Sequence, residues 1–88
     1  MEKSLRLAEI ENRLRTALDP LSLEVIDESH LHAGHEGAKT GKGHFAVTIC
    51  SAQFTGKLPL ARHRLVYSAL GDMMEHDIHA LSINAQTP

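Results

Sequence analysis

Apolar residues in this chain switch between helical and strand-like spacing, and that switching most restricts the folds open to its 88 residues. The first apolar residues recur at three- and four-residue steps, which predicts an amphipathic helix after Ser4. They are Leu7, Ile10, Leu14, Ala17 and Leu18. Pro20 disfavours helical geometry at the residue before it, so we expect this helix to end near Leu18.

Two alternating stretches follow the first helix and predict two strands. Apolar and polar residues alternate over 23–28 and again over 44–50, and a period of two indicates a strand. Between them, residues 30–43 contain four glycines, three histidines and no period, which predicts a loop of about 14 residues. The two strands can pair antiparallel across this loop.

A second helix and a third strand complete the pattern. Pro59 suits the first position of a helix, and an apolar stripe extends that predicted helix to about Glu75. Alternation from His79 to Ala85 then predicts the third strand, which a right-handed crossover places parallel to the second. The predicted fold class is therefore α+β, an α/β two-layer sandwich in the order α-β-β-α-β. It has one mixed three-stranded sheet, helices on one face, and a single domain over residues 1–88.

Cysteine and histidine counts limit the chemistry. The chain has seven histidines and a single cysteine, Cys50. This excludes an intramolecular disulfide, a two-Cys-two-His zinc finger and an iron–sulfur site built from the chain's own thiolates. No nucleophile–base–acid set and no glycine-rich phosphate loop is visible, so we expect no enzyme. No apolar run reaches 18 residues and no apolar leader follows Met1, so we expect a soluble, cytoplasmic protein without a membrane partner.

Charge is distributed unevenly behind a net charge of −2. Residues 37–71 contain five bases and no acid, whereas acids exceed bases in both flanking segments. Arg62, His63 and Arg64 lie near the start of the predicted second helix, where the helix dipole disfavours cations. With Lys57 they are a candidate anion site for phosphate or a carboxylate. The alternative is that they are solvated charges paired with the acidic ends of the same fold.

His79 is the most strongly placed histidine. It is in phase with Leu81 and Ile83, so we expect its side chain on the core face of the sheet, at the start of the third strand. The alternative is a histidine at the edge of the core, hydrogen-bonded to backbone. The loop histidines, His32 and His35 among them, could bring further imidazoles to a metal beside it.

Such a metal site would be incomplete. A structural zinc takes four ligands, and so does a [2Fe–2S] cluster, in which histidine can replace cysteine on one iron. Because the chain has one cysteine, the missing thiolates point to a partner that shares the site.

Several motifs, taken together, resemble the BolA family from Leu14 to Pro88. They are Asp27-Glu28-Ser29, His32-Ala33-Gly34-His35, His44-Phe45-x-Val47-x-Ile49-x-Ser51, Phe54-x-Gly56, Arg62-His63-Arg64-x-Val66-Tyr67 and Ile78-His79-Ala80-Leu81-Ser82-Ile83. The resemblance implies a fold similar to the class II KH domain, in some members with an extra short helix.

The resemblance also implies a partner and a shared cofactor. BolA proteins pair with monothiol glutaredoxins and share a [2Fe–2S] cluster whose thiolates come from the glutaredoxin and glutathione. Carried over to this chain, His79 is the strand ligand, and His32 is the loop ligand with His35 as the alternate. The chain alone would then hold no cofactor. A separate alternative is that the chain forms a homodimer in that state.

A second role that the resemblance implies is that of a DNA-binding transcription regulator. The natural surface for it is the KH-like face from Lys57 to Arg64. The Gly-x-x-Gly loop with which RNA-binding KH domains grip the backbone does not occur in the helical region, so we do not expect RNA binding of the usual KH kind.

Overall fold

The computed structural model describes residues 1–32 and 41–88, and its elements follow the predicted order. The helices are α1 (Arg6–Leu18), α2 (Pro59–Leu70) and α3 (Met73–His76), and the strands are β1 (Ser22–Asp27), β2 (Gly43–Cys50) and β3 (Ile78–Gln86). A 3-10 turn, Ser29–His32, begins the predicted loop, whose residues 33–40 lie outside the described ranges. None of the helices in these ranges is long and apolar enough to cross a membrane.

The three strands form one mixed sheet in the order β1-β2-β3. β1 pairs antiparallel with β2, and β3 pairs parallel with β2, as the strand pattern and the crossover rule predict. Val47 on the central strand pairs with Val25 on one side and with Ile83 on the other. Side chains alternate between the two faces of a sheet, so this apolar row lies on one face. The predicted α+β class is confirmed.

The core lies between that sheet face and the helices. Its buried apolar members are Ile10, Leu14, Leu18, Phe45, Val47, Ile49, Phe54, Val66, Leu70, Met73 and Ile78. The edge strands contribute half-buried side chains to the same core, such as Val25 and Ile83. Of the three strands, the central one contributes the most buried side chains to the core. The sites described below lie at the two ends of the sheet.

α1 ends where the sequence predicts. Asp19, before Pro20, adopts a left-handed conformation with φ of 43°, and its amide still donates to the carbonyl of Arg15 at 3.1 Å. The buried hydroxyl of Ser51 donates to the carbonyl of Leu18 at 2.6 Å. This hydrogen bond satisfies a carbonyl that the end of the helix leaves without an intrahelical partner.

α2 begins at Pro59 as predicted, but the prediction that it continues to about Glu75 is wrong. Gly71 has a φ of +56° and ends the helix at Leu70, after which α3 forms a separate turn. Arg13 of α1 stabilises this end, because its Nη1 donates to the carbonyl of Leu70 at 2.6 Å and to Asp72 Oδ1 at 2.9 Å. The hydrogen bond from Arg13 also lowers the pKa of Asp72 below its ordinary value.

Candidate functional site

β3 begins with a break in its pairing with β2, and this break decides where His79 lies. Gly43 pairs with Ile78, but the next residue, His44, pairs with Ala80. His79 is therefore the extra residue of a β-bulge, and a bulge interrupts the alternation of side chains. Ile78 is buried in the core, whereas His79 is exposed.

The prediction that His79 shares the core face with Leu81 and Ile83 is therefore wrong, and Ile78 takes the core position. The physical reason is that alternation within one strand cannot reveal an extra residue, which is defined by the pairing with the neighbouring strand. The exposed position of His79 suits a ligand better than the predicted core-facing position, because an exposed imidazole is open to another molecule.

The ring of His44 lies beside the ring of His79. The two ring centroids are 5.1 Å apart, with an angle of 49° between the ring planes. His44 alternates with Phe45 along β2, so its ring lies on the sheet face away from the helices, yet the residue is only 7% exposed. The parallel pairing of β2 and β3 brings the starts of both strands to one end of the sheet.

His44 was not among the residues predicted for the site. The sequence signal was its position at the start of a strand, which matches the position of His79 in the next strand along. That signal has meaning only once the two strands are known to be adjacent and parallel, since an antiparallel pair would place the two starts at opposite ends.

Residues 30–35, with three histidines, are called the His-rich segment below. The beginning of this segment is anchored beside His44. Asp27 Oδ1 accepts a hydrogen bond from the amide of Ser29 at 2.9 Å, and the Ser29 hydroxyl accepts one from the amide of His44 at 3.0 Å. The amide of Glu28 donates to the carbonyl of His44 at 2.7 Å. These bonds fix the turn Ser29–His32 against the start of β2.

Asp27 carries a shifted pKa because of this arrangement. Burial of the carboxyl raises its pKa, but hydrogen bonds from Ser29 and attraction by Arg6 outweigh that effect. The pKa of Asp27 is therefore below its ordinary value, and the carboxylate stays ionised as the acceptor of this turn.

The chain that follows the His-rich segment is anchored by a buried arginine. Arg6 is 6% exposed, and its Nη1 donates to the carbonyls of Gly41 and Asp77, both at 2.9 Å. The carbonyl of Asp77 also accepts from the amide of Gly43 at 2.9 Å. The start of β2 and the start of β3 are therefore joined by hydrogen bonds as well as by the sheet ladder.

Gly43 stands where these segments approach most closely. A Cβ at this position would lie 2.5 Å from Cε2 of Phe45 and 3.0 Å from the hydroxyl oxygen of Ser29. Only glycine fits this gap without movement of its neighbours. The residue that begins β2 is thus selected by the close approach of the Phe45 ring and, less closely, of the Ser29 hydroxyl.

The predicted anion site lies at the other end of the sheet, where the start of α2 meets the end of β3. Arg62 Nε donates to the carbonyl of Lys57 at 2.8 Å, and its Nη1 donates to the carbonyl of Ala85 at 3.1 Å. Arg62 therefore ties α2 to the edge strand with part of its hydrogen-bonding capacity. His63 is half-buried, and Lys57 and Arg64 are exposed.

The alternative interpretation of these charges, as partners of the acidic ends of the fold, finds no support in the described residues. Within residues 1–32 and 41–88, no ion pair involves Lys57, Arg62 or Arg64. Two exposed leucines, Leu58 at 79% and Leu60 at 62% exposure, lie between Lys57 and Arg62 in the sequence.

Comparison with known proteins identifies the family. A family model described as "BolA-like protein" matches residues 14–88. The chain belongs to the BolA-like family. It is 41% identical to the DNA-binding transcriptional regulator BolA of Escherichia coli strain K12, over 89% of this chain and 71% of that protein. It is 44% identical to SufE-like protein 1 of Arabidopsis thaliana, over 90% of this chain but only 23% of that protein.

Solved BolA-like structures have the same fold. The BolA domain of SufE1 from Arabidopsis thaliana superposes with a TM-score of 0.83 and 45% identity, covering 94% of this chain and 92% of that one. The matched family range includes His44, His79 and the basic residues of α2, whereas Arg6 lies before it. The chain spans less than a quarter of SufE-like protein 1, so the activities of that whole protein are not carried over to this chain.

The resemblance to the BolA family implies two alternative loop ligands, His32 and His35, and only one of them lies in the described part of the chain. The backbone of His32 ends the anchored turn Ser29–His32, and His35 lies outside the described residues. Which of the two approaches His79 stays a prediction. In the described ranges no group of three or more histidine, cysteine, aspartate or glutamate side chains is placed to hold a metal ion.

The residues present fit a contribution to a cluster better than a complete metal site. His79 offers an exposed imidazole beside that of His44. A depression of about 250 Å³ lies next to His44 and is lined in part by Glu28, His44 and Ser82. A neutral imidazole is a ligand for iron as well as for zinc.

Proposed function

We propose that this BolA-like protein pairs with a monothiol glutaredoxin and shares a [2Fe–2S] cluster with it, in cluster transfer and iron homeostasis. His79 supplies a ligand from the start of β3, and His32, or alternatively His35, supplies one from the loop. The glutaredoxin and its glutathione supply the thiolates. The protein acts in this proposal as a binding partner and not as an enzyme.

The observation that carries the proposal is the separation of His79 from the chain's only thiol. Cys50 ends β2 and pairs with Gln86 near the end of β3, whereas His79 is at the start of β3. Strands rise by about 3.3 Å per residue, which places Cys50 about 20 Å from the histidine pair. A cluster bound at His79 must therefore take its thiolates from another molecule.

The proposal is tested by titrating the protein with a cluster-loaded monothiol glutaredoxin and recording visible absorption and circular dichroism. We expect the spectrum to change on mixing and the change to be lost in His79→Ala. The matched control is His76→Ala, which removes another exposed histidine from the helix before β3. An unaltered response in His79→Ala would exclude His79 as a ligand.

The same titration assigns the loop ligand. His32→Ala and His35→Ala are compared, and the variant that alters the spectrum identifies the residue. Since a ligating histidine must be neutral, we expect the affinity for the cluster-loaded partner to fall as the pH drops below about 6.

A second candidate function is DNA binding in transcription regulation, which the exposed charges of Lys57 and Arg64 favour, since neither forms an ion pair with any residue of 1–32 or 41–88. The relative in Escherichia coli is named a DNA-binding transcriptional regulator. Up to five phosphate contacts predict a slope of log K against log salt of about −4.5 or shallower. Arg64→Ala should flatten this slope by about 1.

The DNA experiment needs a control for charge and for structure. Arg15→Ala removes an exposed cation from α1 and should leave the slope unchanged. Arg62→Ala is less suitable, because it also removes the hydrogen bond to Ala85. A binding signal that is independent of salt, or unmoved by Arg64→Ala, would exclude this surface.

The two candidate sites lie at opposite ends of the sheet, one at the start of β3 and the other at its end. A contact confined to the start of β3 would therefore leave the basic end of α2 uncovered. Titrating DNA into the glutaredoxin complex distinguishes a protein with both functions from one with a single function.

A further inference from the structure

The outer edge of β3 faces away from the rest of the sheet. β3 is the last strand in the sheet order, and the described part of the chain contains no strand beyond it. The amide of Ser51, at the end of β2, donates to the carbonyl of Gln86 at 3.0 Å, so the backbone groups of Gln86 face β2. These groups alternate in direction along a strand. The backbone groups of Leu81, Ile83 and Ala85 therefore face outwards.

One of these three outward positions is already covered. Arg62 Nη1 donates to the carbonyl of Ala85 at 3.1 Å. From residues 1–32 and 41–88, no hydrogen bond reaches the outward amides and carbonyls of Leu81 and Ile83. A row of such groups on a strand edge is a template for pairing with another strand. The open part of the edge is therefore the middle of β3, around Ser82.

β3 lacks the features with which edge strands normally avoid such pairing. Its nine residues, Ile78–Gln86, include no lysine, arginine, aspartate, glutamate or proline. Charged side chains and prolines are the usual protection of an exposed edge. The opposite edge strand, β1, contains Glu24 and Asp27. Two copies of β3 can therefore approach each other without like-charge repulsion, whereas two copies of β1 cannot.

The side of α2 above this edge is also apolar and exposed. α1 packs against β1 and α2 against β3, so the side of α2 away from α1 is nearest the outer edge of β3. Ala69 lines a groove with residues of α1. Leu60 lies nine residues before Ala69 and Tyr67 seven residues after Leu60, which places both on the side opposite Ala69. Leu60 is 62% exposed and Tyr67 is 40% exposed.

We propose that two copies of this chain pair antiparallel through β3, about a twofold axis at Ser82, and form one six-stranded sheet. The axis is at Ser82 because Arg62 covers Ala85 and leaves the outward groups of Leu81 and Ile83 open. Leu81 of one copy then lies opposite Ile83 of the other, and each such pair exchanges two backbone hydrogen bonds. The dimer requires neither a cluster nor a glutaredoxin.

A second copy fits this edge because the surface is complementary to itself. A twofold axis brings one surface against the same surface of another copy. The half-buried side chains of Leu81 and Ile83 face each other on the core side of the extended sheet, as an apolar cross-strand pair. The same symmetry places the exposed sides of the two α2 helices next to each other, so that Leu60 and Tyr67 are covered together with the strand edge.

Sedimentation equilibrium of the full chain, from micromolar to millimolar concentration, measures the dimer. Ser82 is exposed, so Ser82→Lys leaves the core intact but places two ammonium groups opposite each other at the axis. We expect this variant to weaken the dimer by about tenfold or more, because like charges across an interface are strongly unfavourable. Thr48→Lys is the matched control. Thr48 is exposed on the same face of the sheet but on the central strand, and its substitution should change the affinity by about twofold at most.

A charge exchange distinguishes loss of the interface from loss of the fold. Ser82→Glu alone should weaken the dimer for the same reason as Ser82→Lys. An equimolar mixture of the two variants should restore a mixed dimer, since opposite charges then meet at the axis. A mixture that is no more dimeric than either variant alone would overturn the inferred pairing.

Cross-linking tests the register of the two strands. Ser82→Cys is introduced together with Cys50→Ser, which removes the native thiol. At a non-hydrogen-bonded antiparallel pair the two Cα atoms are about 4.5 Å apart, a separation that a disulfide spans. Oxidised glutathione should therefore convert this variant into a covalent dimer. Thr48→Cys in the same background should not cross-link, because three strand spacings, about 14 Å, separate the two central strands.

The contribution of α2 is tested with Leu60→Ser, which should weaken the dimer several-fold. The control is Leu21→Ser, since Leu21 is 73% exposed but precedes β1 at the opposite edge of the sheet. A protein that remains monomeric at millimolar concentration would overturn the inference. Equal cross-linking at positions 82 and 48 would also overturn it, as would equal effects of Leu60→Ser and Leu21→Ser.

Discussion

The ring of His79 lies 5.1 Å from the ring of His44, centroid to centroid, at the point where β2 and β3 begin side by side. One of the two histidines is exposed and the other is buried. The buried ring forms a wall beside the exposed one and limits the orientations that His79 can adopt. A ligand held in few orientations loses less entropy when it binds.

His44→Ala should weaken cluster binding without abolishing it. The substitution removes the wall beside His79 but leaves the imidazole of His79 in place. We expect a several-fold loss of affinity for the cluster-loaded glutaredoxin, together with a loss of about 1–3 kcal/mol in the free energy of unfolding, because a buried side chain is truncated. Visible circular dichroism and chemical denaturation measure the two effects. His44→Phe, which restores the wall, should recover most of the affinity, and a complete loss in that variant would show that His44 is itself a ligand.

Gly43→Ala should destabilise the fold and disturb the site together. The new Cβ would lie 2.5 Å from the ring of Phe45 and 3.0 Å from the Ser29 hydroxyl, so that one of these groups must move. Overpacking of this kind costs about 1–3 kcal/mol in the free energy of unfolding. Urea denaturation measures the loss.

The control for this substitution is Gly56→Ala. A Cβ at Gly56 has nothing within 4 Å, and only its φ of +78° opposes the substitution. That backbone strain costs about 1 kcal/mol. The expectation for Gly43 fails if Gly43→Ala is no more destabilising than Gly56→Ala and leaves the His79 resonances unmoved.

Much of the fold could be predicted because its signals are local. Pro20 ends α1 near Leu18, Pro59 begins α2, and alternation reveals all three strands. The errors occur where a distant contact decides the result. The hydrogen bond from Arg13 to Leu70 and the positive φ of Gly71 end α2 early, although an apolar residue, Met73, continues the helical spacing beyond it.

The site could be predicted only in part for the same reason. The sequence pattern singles out His79, but its exposure depends on a bulge that exists only relative to β2. His44 and Arg6 escape prediction because their importance arises from neighbours that are distant along the chain, respectively His79 and the carbonyl of Asp77. Residue type alone gives no indication of these contacts.

The low pKa of Asp27 predicts a specific loss of stability in acid. A carboxyl whose pKa is lower in the folded state stabilises the protein above its unfolded pKa, and this contribution is lost as the pH falls through the folded pKa. Because the pKa of Asp27 is lowered from 3.8, the contribution is complete at neutral pH and disappears below about pH 4. Asp27→Asn should therefore lower the Tm at pH 7 but show a shallower decline of Tm between about pH 5 and 2. Glu24→Gln, on the same strand, serves as the control, and parallel pH profiles for Asp27→Asn and the unsubstituted protein would contradict the assignment.

Cys50→Ser should leave cluster sharing intact. This prediction distinguishes a cluster whose thiolates come from the partner from one that the protein's own thiol binds. The thiol is half-buried on the central strand, at the end of the sheet away from His79. Since about 20 Å separates the two ends of the strand, no ligand set that includes His79 can also include Cys50 in the folded protein. The cluster-loaded glutaredoxin should therefore give the same visible circular dichroism with Cys50→Ser as with the unsubstituted protein, at an affinity within about twofold.

His79→Ala, measured alongside, supplies the positive control for a lost ligand. If Cys50→Ser abolished the spectrum while the variant remained folded, the cluster would have to lie at the other end of the sheet, and the assignment of His79 would be wrong.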